Sequence, residues 1–327
     1  MSADVLNSES SAAPVLIVDG SNAFVRAYCA YPSVSSHGYQ LGGFVGFMKT
    51  LTKLVNDYAP SGVIIVWEGG GSSRRRNIYA DYKMNRRPEK LNRFYADDIP
   101  DSDENRVHQT IALVKLLRCL PVWQLYAEDV EGDDVIAYLT CGPLIKRPVM
   151  IASSDKDMHQ LLSDRVTQFS FHKKRVLTAS DVYDEYGILA ENFGIAKAVC
   201  GDPSDNIPGV SRIGFKTLVK SVSLVRERGV ILDDVINFAS SHRHESHSCE
   251  RIANAEKLIR RNWELVKLDI TSLSPAKASQ ICALLQTPRS PVDVVSMYAV
   301  LVQEGTSSLN VDDIVTAFGR YKGCMIT

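Results

Sequence analysis

Nine carboxylates fall where an apolar run stops or a helical pattern starts, and they are the residues best placed to do chemistry. Asp19 closes VLIVD and is followed by Gly-Ser-Asn, while Glu68 closes VIIVWE and is followed by three glycines. Glu131, Asp133 and Asp134 open EGDDVIAYL; Asp155 and Asp157 lie in SSDKD; Asp202 and Asp205 lie in GDPSDN. So many carboxylates in one crevice would repel one another and hold on to protons. Hard divalent cations remove the conflict, because Mg²⁺ and Mn²⁺ take oxygen ligands and Mg²⁺ completes its shell with water and phosphate. A pair of such ions polarises a phosphodiester, acidifies an attacking water and stabilises the leaving oxygen. Metal-dependent phosphodiester hydrolysis is therefore the expected chemistry. Any single member of the set would read as a helix cap, and Asp202, before proline, as turn chemistry. The set in this order carries the expectation.

The elements around the carboxylates are those that would gather them. VLIVD (15–19), VIIVWE (63–68), VWQLYA (122–127) and VMIASS (149–154) read as buried parallel strands. Between them FVGFMKTLTKLV (44–55) and VHQTIALVKLLRCL (107–120) have helical periodicity. The alternation predicts an α/β fold, a mainly parallel sheet flanked by helices, whose ligands gather beyond the carboxyl ends of the strands. After about residue 180 the strand signal fades, and 180–187, 194–201, 214–229 and 251–268 read as helices. The expected organisation is a tail over 1–13, a metal-dependent catalytic core over 14–180 and a smaller helical C-terminal domain over 181–327. SSHRHESHSCE (240–250) reads as an exposed loop.

A basic segment lies between the second and third strands. It holds Arg74, Arg75, Arg76, Lys83, Arg86, Arg87, Lys90 and Arg93, with Tyr79 and Tyr82 interleaved. Such a patch attracts phosphates by counterion release, and tyrosines stack on unpaired bases. If helical, Tyr79, Tyr82, Lys83 and Arg86 share a face. Farther on, SDNIPGVSRIGFKTLVK (204–220) places Gly209 and Gly214 before Lys216 and Thr217, a glycine turn feeding a helix start that could bind an anion.

The remaining features mostly exclude. The net charge of −1 names no partner, and the seven cysteines form no C-x-x-C pair, which fits a reducing compartment. Residues 1–13 lack the basic start and apolar stretch of a signal peptide, and no run is long enough to cross a bilayer, so a cytoplasmic, membrane-free protein is expected. Gly69–Gly71 lacks the following Gly-Lys-Ser/Thr of a P-loop. His242, His244, His247 and Cys249 could hold a transition metal, but a solvated loop is the simpler reading. Cys119 and Cys200 read as core, and Trp67 and Trp123 as packing beside the strands.

In their order, VDGSN, YADYKMNR, EGDDVIAYL, SSDKDMHQLL and GDPSDNIPGVSRIGFKT resemble the flap endonuclease/5′-nuclease family over residues 15 to about 220. FHKKRVL, NWELVKLDI and MYAVLVQEG resemble its T-even phage ribonuclease H branch. The resemblance implies a PIN-like core with a basic arch at about 72–95 and a helix-hairpin-helix-type element at about 202–220. It implies 5′-3′ exonuclease, flap endonuclease and ribonuclease H activity with two Mg²⁺ or Mn²⁺ ions, serving primer removal. Asp19, Glu68, Glu131 and Asp133 would hold the first ion; Asp155, Asp157 and Asp205, supported by Asp134 and Asp202, the second. Lys83 and Arg86 would contact the scissile phosphate. Lys216 matches a duplex-binding position of the family; the basic, aromatic segment adds Arg75, Arg76, Tyr79, Tyr82 and Arg87, the glycine turn adds Arg212 and Thr217, and the hairpin is a candidate K⁺ site. The implied partner is DNA or an RNA–DNA duplex with a 5′ end, nick or flap, bound by a monomer in the cytoplasm, or in the host cytoplasm if phage-encoded. A single-strand-binding protein or clamp is a candidate partner for 311–323, which otherwise reads as a closing helix.

Three positions depart from the family pattern: Glu68 for aspartate, Arg212 for a hairpin glycine, and Leu218 for a small residue. The competing readings are a branched-DNA binder without catalysis and a PIN-type ribonuclease for single-stranded RNA. The carboxylate set speaks against the first and the hairpin against the second.

Overall fold

The computed structural model describes residues 13–85 and 103–320. The apolar runs form a six-stranded sheet: β1 (Val15–Asp19), β2 (Gly62–Trp67), β3 (Trp123–Tyr126), β4 (Val149–Ala152), β5 (Val166–Ser170) and β6 (Arg175–Leu177). Its order is β3-β2-β1-β4-β5-β6, with every pairing parallel except β5 with β6. The four expected strands are present, and β5 and β6 extend them. Alternation along β1 sends Val15 and Ile17 to one face and Leu16 and Val18 to the other, so both faces need cover.

The first half of the chain supplies α1 (Gly20–Ala30), α2 (Gly42–Tyr58), α3 (Ser73–Ile78), α4 (Asp103–Arg118) and α5 (Gly132–Cys141). After β6 come α6 (Ala179–Tyr186), α7 (Phe193–Cys200), α8 (Phe215–Ser221), α9 (Leu224–Glu227) and α10 (Leu232–Ser241). The chain continues through α11 (His247–Asn254), α12 (Glu256–Val266), α13 (Pro275–Gln286), α14 (Val294–Gln303) and α15 (Val311–Phe318). A short antiparallel pair, β7 (Gly201–Asp202) and β8 (Ile207–Pro208), lies between α7 and α8. No helix among the described residues is long and apolar enough to cross a membrane.

The expected boundary near residue 180 separates compositions, not cores. One face of the sheet shares a continuous cluster with Phe193, Leu218, Ile259 and Leu285 of the later helices. The other face buries α1, α2 and α4 together with Met297 and Ile314 of α14 and α15. The expected helix at 214–229 is two, α8 and α9, and that at 251–268 is divided at Ala255. The expected loop at 240–250 is shorter: the Ser246 hydroxyl caps α11, and Cys249 is buried inside it. That burial removes Cys249 from any site shared with the neighbouring histidines.

The sheet order fixes where chemistry can occur. From β1 the chain winds outward through β2 and β3, then returns to place β4 on the opposite side of β1. The crevice between β1 and β4 at their carboxyl ends is a topological switch point, the place where open α/β sheets bind ligands.

Candidate metal centre and nucleic-acid interface

Asp19 ends β1 and caps α1. The Asn22 amide donates to its Oδ1 (3.0 Å) and the Ser153 hydroxyl to its Oδ2 (2.9 Å). Beyond β4, Asp155 begins a 3-10 turn over Lys156–Leu161, its Oδ1 accepting from the Asp157 amide at 2.8 Å. The Ser153 hydroxyl also accepts from the Asp155 amide, and Asn22 Oδ1 accepts from the Ser154 amide. Ser153 and Asn22 thus tie the two strand ends into one rigid rim. At the neighbouring strand, Glu68 takes the Gly132 amide at 3.1 Å, which brings the end of β2 to the start of α5. Four of the expected carboxylate groups therefore meet at one edge of the sheet.

Burial pushes Asp19 up to about 6 despite these donors, with the Asp133 and Glu68 charges adding to the effect. It likewise raises Asp155 to about 6, with Asp133 contributing. Burial also opposes ionisation of Asp133, but the Lys83 and Arg75 charges outweigh it and hold that carboxyl low. The fifth group arrives from the C-terminal part. Asp157, Asp202 and Asp205 are buried, with carboxylate oxygens lying within 4.8 Å of one another. Lys197 of α7, itself buried, pairs with Asp157 and with Asp202, the latter at 2.5 Å. Burial disfavours the Lys197 charge, but the two carboxylates outweigh that cost and keep the ammonium protonated. Asp157 is still raised to about 7 by burial, against the pull of Lys197.

Close-packed, buried carboxylate oxygens, with Asp19, Asp155 and Asp157 pushed up by burial, fit a hard divalent cation. The residues present fit such a cation.

The basic segment divides on inspection. Lys83, at φ 58°, has its amide donating to the Asp205 carbonyl (3.0 Å) and its Nζ 2.6 Å from Oε2 of Glu131. It points into the acidic centre. Arg75 does not face a phosphate: it is 1% exposed, grips both oxygens of Asp134 (2.7 and 2.8 Å), reaches Glu131 (2.8 Å) and donates to the Leu265 carbonyl. Two expectations are thereby corrected. Arg75 is an internal counter-charge, not a surface contact, and both carboxylate oxygens of Asp134 are taken up by it. Charge count along the sequence cannot separate a surface arginine from one that neutralises a buried acid.

Tyr82 is corrected too. It is buried, its hydroxyl donating to Glu131 (3.0 Å) and lying 3.4 Å from Asp205, so it is not available for base stacking. Burial beside Glu131 pushes its phenol far up, and it remains a donor. The shared helical face fails because α3 ends at Ile78 and Tyr79 is its extended cap. Tyr79 is half-buried beneath the Arg261 guanidinium (4.4 Å from the ring), whereas Arg76 is exposed. Arg86 and Arg87 lie outside the described residues, as do residues 1–12 of the expected tail and Lys90 and Arg93.

The hairpin joins α7 to α8. Gly201 and Gly209 pack backbone to backbone, where a Cβ on Gly209 would fall 2.0 Å from the Cys200 carbonyl oxygen, so a side chain there would force the turn open. Arg212 takes the left-handed conformation (φ 60°) that glycine would take at lower cost, and it is exposed. Lys216 is exposed and Thr217 half-buried on the first turns of α8, while Leu218 is fully buried. The residues that sequence reasoning passed over are Lys197, Ser153 and Asn22. For Lys197 the signal was a lone lysine in the otherwise apolar GIAKAVC.

The family model for the 5′-3′ exonuclease N-terminal resolvase-like domain matches residues 14–187. A 5′-3′ exonuclease of Buchnera aphidicola (subsp. Schizaphis graminum) is 29% identical over 264 residues, covering 79% of this chain and 86% of that protein. DNA polymerase I of Pseudomonas aeruginosa is 34% identical over 209 residues, 63% of this chain but only 22% of the polymerase. Among solved structures, a bacteriophage T5 flap endonuclease complex with DNA and metal ions superposes with a TM-score of 0.61 at 24% identity, covering 94% of this chain and 100% of that one. With the carboxylates gathered at the switch point and the hairpin beside them, the chain belongs to the 5′-3′ exonuclease family, its resolvase-like domain occupying residues 14–187.

Proposed function

We infer that this protein is a 5′-nuclease that uses two Mg²⁺ ions to hydrolyse phosphodiesters near the 5′ ends of DNA and RNA–DNA duplexes, at nicks or flaps, in primer removal. The observation that carries this reading is the convergence of Asp19, Asp155, Asp157, Asp202 and Asp205 with Lys83 on one crevice. Asp19, Glu68, Glu131 and Asp133 would hold one cation, and Asp155, Asp157 and Asp205, supported by Asp202, the other. Such ions acidify the attacking water and offset charge on the leaving oxygen.

The chain's own groups do the rest. Lys83 is held at its amide by Asp205 and at its ammonium by Glu131, so it is oriented before a phosphate arrives. A phosphate entering the crevice would draw that ammonium and relieve the charge gathered there, a preorganised electrostatic contribution. Lys197 keeps Asp157 and Asp202 aligned and tempers their repulsion. The α7–α8 turn, with Arg212 and Lys216 exposed, would track the duplex backbone. The T5 complex, which holds DNA and metal ions, supports the substrate class.

The test is product mapping on 5′-labelled nicked, flapped and RNA–DNA substrates with Mg²⁺ or Mn²⁺. Release of short products from the 5′ end supports the reading. Preference for single-stranded RNA over nicked duplex would replace it with a PIN-type ribonuclease, and junction binding without cleavage with a non-catalytic binder.

A further inference from the structure

A cavity of about 800 Å³ opens from the acidic crevice along the β3 edge of the sheet, and nothing in the mechanism above uses it. Its near end is formed by Ser21 and Glu68, so it is continuous with the metal centre. Its floor is β3, and its walls are α4 and the segment 287–290. Because β3 has four residues rising about 3.3 Å each, the groove extends roughly 13 Å from the crevice.

The lining has two chemistries. Tyr126, at the crevice end of β3, is 61% exposed and lies beside half-buried Trp67, with which it is paired in the sheet. At the far end stand Arg118, on the last turn of α4, and Arg289. Among the described residues neither arginine forms an ion pair with a carboxylate. Asp293, which lies near the end of α4, is engaged with Ser296 instead.

The groove is a fixed feature. The Trp67 indole donates to Gln124 (3.1 Å), whose amide donates to the Val114 carbonyl (3.1 Å) and so locks β2, β3 and α4 together. The Trp123 indole donates to the Thr287 carbonyl (3.2 Å), while Arg289 sits over the same ring at 5.7 Å. Arg289 is thus oriented by a buried aromatic before any ligand binds.

We propose that this groove binds the single-stranded segment on the 5′ side of the scissile phosphate, with Tyr126 stacking on a base next to the crevice and Arg118 and Arg289 taking phosphates farther along. An exposed aromatic followed by unpaired cations along a track is what unpaired nucleic acid requires, since stacking is sequence-tolerant and the cations follow the backbone. A duplex has no free base face to offer Tyr126. The proposal rests on the 5′-nuclease reading for the direction of the strand, not for the groove's affinity.

The test uses the full chain and separates the two. Affinity for a nicked duplex and for the same duplex with a 5′ overhang of about six nucleotides is measured by fluorescence anisotropy in EDTA, where cleavage cannot intervene. In the parent the overhang should strengthen binding. Arg118→Ala/Arg289→Ala should weaken the overhang substrate about tenfold relative to the nicked duplex, and its salt dependence should flatten by about 1.4 in log–log slope, the value for two single-strand phosphates. Tyr126→Ala should lower the same ratio by about tenfold, whereas Tyr126→Phe should keep it. An unchanged ratio and slope in the double variant overturns the proposal. Failure to cleave any substrate in Mg²⁺, with the ratio behaving as expected, would overturn the nuclease reading and leave the groove standing.

Discussion

Nζ of Lys83 lies 2.6 Å from Oε2 of Glu131, although the two residues come from a turn after α3 and from the cap of α5. The contact is possible because Lys83 accepts a left-handed backbone, φ 58°, and is anchored through its amide to Asp205. One lysine therefore links the basic segment, the sheet edge and the hairpin. Replacing it with methionine, which keeps the stem and removes the charge, should lower the single-turnover cleavage rate by about 10²- to 10³-fold, the usual cost of losing one preorganised charge partner. A rate within threefold of the parent would show that the ammonium does not act on the reacting phosphate.

Arg75 should matter for stability before it matters for activity. Its guanidinium is the buried counter-charge of Asp134 and Glu131 and is fastened to α12 through the Leu265 carbonyl. Arg75→Ala would leave two buried carboxylates without it and should cost about 3–5 kcal/mol in urea unfolding. Arg75→Lys should recover only part, since a single ammonium cannot reproduce the planar fork.

The acidic centre sets a pH dependence that divalent ions should reverse. Asp19 and Asp155 are raised to about 6 and Asp157 to about 7. An acid whose folded pKa is raised binds more proton folded than unfolded between the two values. Stability of the metal-free protein should accordingly fall as pH rises from about 4 to about 7, and level off above that. Mg²⁺ should raise the thermal midpoint at pH 7.5 and do little at pH 4.5. A midpoint indifferent to Mg²⁺ at pH 7.5 would mean that the carboxylates hold no cation there.

The hairpin offers a separable test. Left-handed backbone costs a non-glycine residue about 1–2 kcal/mol, and glycine returns about 0.4–1 kcal/mol of that through the unfolded chain. Arg212→Gly should therefore raise stability by up to about 1 kcal/mol. If Arg212 meets a duplex phosphate, the same change should weaken duplex binding and flatten its salt slope by about 0.9. A gain in stability with no change in slope would assign Arg212 a purely conformational role.

Much of the site could be read in the sequence because its members interrupt strong patterns. Asp19 and Glu68 stop apolar runs whose burial on both faces leaves no doubt that they are strands, and the parallel sheet then sends their ends to one edge. What sequence could not supply was the direction of each basic side chain. Arg75 and Arg76 are adjacent, yet one is buried against Asp134 and the other is exposed, a difference set by packing against α12. Lys197 stands out in the sequence as a lone lysine in an apolar helix, but that pattern does not tell which aspartates from other segments enclose it. The boundary drawn near 180 does not divide the core, because hydrophobic pattern reports which face is buried, not what buries it, and the later helices close over the same sheet.

The most direct measurement is cleavage of a 5′-labelled nicked or flapped duplex by the parent protein and by Asp155→Asn, with Mg²⁺ and with EDTA. The expected result is release of short 5′ fragments by the parent in Mg²⁺, none in EDTA, and a loss of about 10²-fold or more in the variant, which keeps the shape of the turn after β4 but removes a charge from the metal centre. Intact substrate with the parent in Mg²⁺, or equal cleavage by Asp155→Asn, would contradict a metal-dependent nuclease built on these carboxylates.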